Sequence, residues 1–143
     1  MKRAKFTLNH LFYPEISINS NPEFDPRALE SPTEPTIKML LHKTDDNQYQ
    51  LGMRLNLDGE IAADRYTISA FGVANFSVDA DLDEDEQARL ITQSGPNIVY
   101  GAMRDHLATV TGRCPWGEYY LQPKIIEPED YVPDGEPSDL ELD

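Results

Sequence analysis

The chain has one cysteine in 143 residues, Cys114, so no internal disulfide framework is possible and a reducing compartment fits. It has no apolar run near the roughly 18 residues that a membrane-spanning helix needs. The basic opening, Met1-Lys2-Arg3-Ala4-Lys5, is not followed by an apolar stretch of signal-peptide length. These absences predict a soluble, cytoplasmic protein without membrane insertion. A Gly-rich phosphate loop is also missing, which argues against nucleotide use. His10, His42 and His106 are scattered, and with one cysteine they offer no zinc spacing. Basic residues are scarce: 12 Lys and Arg against 26 Asp and Glu give a net charge of −14. That balance repels a phosphate backbone, so nucleic acid is not an expected partner.

The acid is concentrated in two places. Residues 127–143 hold eight acids and no base, with Pro128, Pro133 and Pro137 among them. This composition predicts a disordered acidic tail after a domain spanning 1–126. Residues 79–86 hold six acids in eight positions. A calcium loop would need Gly at its sixth position and Glu at its twelfth. Counting from Asp79 gives Glu84 and Leu90, and counting from Asp81 gives Glu86 and Thr92, so neither register fits. The run reads instead as a solvated turn and helix start. Cys114 and His106 stand eight residues apart across a helix end with no third orienting group, so they read as structural and not as a nucleophile–base pair. No catalytic residue, cofactor or metal is expected.

What the chain does contain is period-two alternation followed by helical periodicity. Phe6 and Leu8, then Ile16 and Ile18, alternate with polar neighbours over 4–19, with a change of phase near His10–Pro14 that predicts a bulge. Residues 20–35 carry four prolines and predict a long functional loop. Ile37, Met39 and Leu41 make a short second strand, and Tyr49 to Leu57 a third. Residues 65–78 make a fourth, with Gly72 expected to permit a kink. Asp58-Gly59 is a hairpin dipeptide. An acid-capped short helix is expected over about 83–93. A long one then starts at Ser94-Gly95-Pro96, where proline suits the first helical turn. Its stripe is Ile98, Val99, Ala102, Met103, Leu107 and Val110, and Gly112 and Pro115 end it. The sum is an α+β domain: a four-stranded antiparallel sheet, a short helix and one long helix.

Pro96-Asn97-Ile98, Arg104, the Gly112-Arg113 stop, and the aromatic-Pro segment ending Leu121-Gln122-Pro123 resemble the long helix of the SecB family of bacterial export chaperones. The family has Arg-Gly where this chain has Gly112-Arg113. The Phe6-Thr7-Leu8 to Ile18 region is similar to the family's first strand, Tyr49 to Arg54 to a later one, and the Phe76 region to the strand before the helices. The likeness covers roughly residues 5–126. In one respect the chain departs from the pattern: Lys124-Ile125-Ile126 runs directly into the acidic tail, so the family's second, C-terminal helix is absent.

The resemblance implies a homotetramer, a dimer of dimers, with long helices sandwiched between two eight-stranded sheets. It places Ile98, Val99, Met103 and Leu107 at the tetramer centre and Ile16 and Ile18 at the subunit pairing. It implies an ATP-independent holdase for unfolded polypeptides, acting in export with the SecA motor or dedicated to a toxin–antitoxin system with an antitoxin as partner. Residues 20–35 become the crossover loop beside the client groove. Phe24, Leu29, Met39, Leu41, Trp116, Tyr119, Tyr120 and Ile125 are its candidate lining, since aromatic rings and methionine give adaptable contact area. Of the family's motor-docking acids, Glu15 is matched. The other two positions fall near Asn19 and near Thr67–Ser69, which are uncharged. The alternative is a non-catalytic adaptor that uses the same scaffold to bind one folded partner.

Overall fold

The computed structural model describes residues 5–124, 126 and 131. Ile125 and, apart from Tyr131, the tail 127–143 lie outside the described residues. The described chain forms β1 (Phe6–Ser20), β2 (Thr36–Asp45), β3 (Gln48–Leu57), β4 (Tyr66–Val78) and α1 (Glu84–Thr111). The strands make one antiparallel sheet in the order β1-β4-β3-β2, with α1 packed on one face. This is the expected α+β architecture.

Alternation along β3 and β4 places Leu51, Met53, Leu55, Ile68, Ala70 and Phe76 toward the helix, all essentially without solvent contact. Ile91, Val99, Met103 and Leu107 meet them from α1. The opposite face holds a smaller cluster of Leu40, Phe71 and Val73, with Phe12 beside it. The β1 side chains on the helix face are Phe6, then Leu11 and Tyr13, then Ile16 and Ile18. Their parity switches twice, and the register against β4 shifts twice, between Leu8 and His10 and between Phe12 and Glu15. Each extra residue flips the pleat, so two bulges, not one, explain the phase change and accommodate Pro14.

Two expectations are corrected. Gly72 does not interrupt β4, whose register with β3 runs unbroken from Gln48↔Ser77 to Leu57↔Ile68. Its missing side chain makes room instead, since a Cβ there would sit 3.3 Å from both Met103 Cε and Tyr13 Cε1. Nor are there two helices. α1 is a single 28-residue helix capped by Asp83, whose carboxylate accepts from Glu86 N at 2.8 Å, and Pro96 lies in its interior. Gly95 and Pro96 are buried where the helix lies close to the sheet, and a Cβ on Gly95 would meet Leu51 Cδ2 at 3.2 Å. The residues that read as a helix start therefore serve close packing. Gly112 does cap the end, in ordinary right-handed helical geometry.

Candidate functional site

After α1 the chain turns back as an irregular strap, residues 113–124, held to the sheet by specific contacts. Tyr66 anchors it from the start of β4: its hydroxyl donates to Gly117 O at 2.7 Å and accepts from Trp116 N at 3.0 Å. Trp116 donates from Nε1 to Asn21 O at 2.9 Å, and its ring lies 5.4 Å from that of Phe24. Arg65 sits over Phe24 and donates to Glu118 O at 2.9 Å. Further on, Tyr119 N donates to the Thr111 hydroxyl at 2.8 Å, Leu121 is fully buried, and Tyr100 donates to Gln122 O at 2.5 Å.

The crossover loop is fixed from the other side. Asp64 is 3 % exposed, and its carboxylate accepts from Thr33 N at 2.7 Å and from the Thr33 hydroxyl at 2.5 Å. Asn21 donates to the backbone oxygens of Ile61 and Asp64, which pins the loop's first residues to the β3–β4 connection.

Between strap and loop lies a cleft of about 620 Å³. Its walls are Ser31–Pro35 on one side and Glu118–Lys124, without Leu121, on the other, with Leu57, Asp64, Arg65 and Tyr100 between them. Apolar surface predominates, and the charged side chains Glu34, Asp64, Arg65, Glu118 and Lys124 are of both signs. Burial pushes the Tyr119 phenol up to about 12, so it stays neutral above the pH at which an ordinary tyrosine ionises. Tyr120 is about half exposed, and its hydroxyl donates to the Glu118 carboxylate. The arrangement offers rings, prolines and backbone carbonyls to an extended chain. The described residues contain no group of three or more His, Cys, Asp or Glu suited to a metal.

Of the side chains expected to line a client groove, the cleft brings together Tyr119 and Tyr120. Phe24 and Trp116 pack on each other beside it and tie loop to strap, which makes them supports and not lining. Leu29 is fully exposed on the loop. Met39 is fully buried in the core and Leu41 partly buried against it, because both face the helix from β2. Val99, Met103 and Leu107 fill the chain's own core, so they present no surface to a second copy; Ile16, Ile18 and Ile98 are only partly buried. Glu15 forms an ion pair with Arg54 at 3.1 Å, and Arg54 in turn stacks over Phe71 at 5.0 Å. Glu15 is thus engaged within the chain, though half exposed. Sequence reading missed Asp64, Thr33 and Tyr100. Nothing local marks them, since their roles arise from partners far away in sequence.

This sheet order, single long helix and crossover loop define a SecB-like fold. Among solved structures the chain is similar to the SecB-like chaperone of Mycobacterium tuberculosis in complex with a ChAD peptide from an antitoxin. The identity is 13 % and the TM-score 0.59, over 86 % of this chain and 93 % of that one. It is also similar to a protein of unknown function from Streptococcus agalactiae, at 12 % identity and a TM-score of 0.46, over 82 % of this chain and 96 % of that one. No family model and no curated protein matches the sequence. No helix among the described residues is long and apolar enough to cross a membrane.

Proposed function

We propose that the protein is an ATP-independent holdase that takes extended segments of unfolded polypeptide into the cleft between crossover loop and strap. The observation that carries this reading is the cleft itself, open, largely apolar and built on a SecB-like fold. Tyr119, Tyr120, Pro32 and Pro35 supply contact area that does not depend on a client's sequence. The net charge of −14 keeps a client complex soluble and favours basic clients. The working form is a homotetramer in the cytoplasm, paired through β1 around Ile16 and Ile18, and the chain carries out no catalysis.

A role dedicated to a toxin–antitoxin system is favoured over export. The M. tuberculosis chaperone to which this chain is similar is bound to an antitoxin peptide. Glu15 is paired with Arg54, and Thr67 and Ser69 offer no charge for docking a motor. The same observation favours, as a second reading, an adaptor that binds one specific protein.

The test is light scattering of several unrelated, chemically denatured proteins diluted into buffer without nucleotide. The holdase reading expects the full chain to suppress aggregation of all of them. Suppression of none, with stable capture of one folded protein, establishes the adaptor. Tyr120→Ser should weaken binding of an unfolded client about fivefold, the scale of losing one exposed aromatic anchor, with an unchanged melting temperature.

A further inference from the structure

Pro96 lies inside α1 and has no N–H, so the carbonyl of Thr92, four residues earlier, lacks the backbone donor that a regular α-helix supplies from that position. The hydroxyl of Tyr131 stands in that place and donates to Thr92 O at 3.1 Å. The backbone of Tyr131 also forms an isolated parallel bridge with Met39. Met39 belongs to β2, the terminal strand of the sheet, whose outer edge would otherwise present unpaired backbone groups. The Tyr131 ring packs against the buried cluster that includes Met39, and burial pushes its phenol up to about 12. Three features thus converge on one residue: a strand edge at the backbone of Tyr131, and an apolar wall and a carbonyl deprived of its regular helical donor by proline at its side chain.

We propose that the outer edge of β2 and the Thr92 carbonyl form a strand-acceptor site for an extended segment bearing a tyrosine. Tyr131 of the same chain is its resident occupant, and an incoming polypeptide must displace it. The site extends the cleft. Thr92 lies eight residues before Tyr100 on α1, about 12 Å along the axis. Met39 lies four residues beyond Pro35, about 13 Å along β2. A chain leaving the cleft along β2 therefore arrives between Met39 and Thr92. Strand addition supplies affinity through the backbone, and the Thr92 carbonyl distinguishes tyrosine from phenylalanine.

Only the naming of the competitor as a client polypeptide rests on the holdase reading. The experiment uses the full chain, as wild type, Tyr131→Ala and Pro96→Ala/Tyr131→Ala, with a fluorescent synthetic peptide of residues 126–143 as probe. The peptide should bind Tyr131→Ala at least tenfold tighter than wild type. A probe with Phe in place of Tyr should bind Tyr131→Ala about fivefold more weakly than the Tyr probe, the worth of one hydrogen bond. In Pro96→Ala/Tyr131→Ala an alanine N–H serves Thr92, and the two probes should bind alike. Amide exchange over residues 36–45 should rise at least tenfold in Tyr131→Ala while β3 and β4 stay protected. Equal probe affinity for wild type and Tyr131→Ala, or unchanged exchange in β2, overturns the site. If the site passes and unfolded client does not compete with the probe, the strand-acceptor assignment holds and the displacement step falls. Failure of aggregation suppression alone touches only the holdase reading.

Discussion

Asp64 sets the width of the cleft, because its buried carboxylate holds Thr33 through both a backbone and a hydroxyl donor. Removing it leaves the Thr33 N–H without its acceptor and releases the loop that forms one wall. Asp64→Ala should therefore cost about 2–3 kcal/mol, read from the urea midpoint, and should weaken client binding through the loosened loop. Tyr119 makes a pH prediction. Its phenol titrates ordinarily at 10.0 and is raised by burial to about 12, so folding favours the neutral form. Its contribution to stability is complete below about 10 and is lost as pH rises toward 12. Denaturant midpoints measured across that window should fall as the phenolate absorbance appears, and Tyr119→Phe should flatten the fall.

α1 carries two glycines with opposite expected behaviour, since both are helical but only one faces a wall. A Cβ on Gly101 meets nothing within 4 Å, so Gly101→Ala should stabilise by about 0.5–1 kcal/mol through helix propensity alone. Gly95 sits against Leu51, Ile91 and Phe76. Gly95→Leu should overpack this contact and cost about 1–3 kcal/mol or more. Thermal melts of the two variants provide the check, and equal shifts would contradict the packing described. Gln87 ties the start of the helix down. It is buried, donates to Asn47 Oδ1 at 2.8 Å and to the carbonyls of Asp79 and Leu82, and accepts from Tyr49. Those bonds help make the segment after Asp83 part of one long helix instead of a separate short one.

At the scale of the molecule, one helix covers one face of a four-stranded sheet, and β1 and β2 end it on either side. The outer edge of β2 meets Tyr131, while β1 pairs within the described chain only with β4. An edge of this length favours pairing with another chain, which is why the proposed assembly runs through β1. Light scattering coupled to size exclusion should give a tetramer for the full chain. Ile18→Lys should give a smaller species with its circular dichroism retained. A tetramer unchanged by that substitution would place the contact elsewhere.

The sequence by itself determined the strands, because Tyr49 to Leu57 and Tyr66 to Ala70 repeat with a period of two, which only a half-buried sheet satisfies. It also determined the helix end at Gly112 and the phase change in β1. Local chemistry could not tell whether Gly95-Pro96 starts a helix or lies within one, since proline suits the first turn and here loses one hydrogen bond in the interior. Contacts remote in sequence decided that, as they decided the pairing of Asp64 with Thr33, of Glu15 with Arg54, and of Tyr131 with Thr92. Periodicity reports which face a residue occupies. Only the folded chain brings in the distant group that gives the face its use.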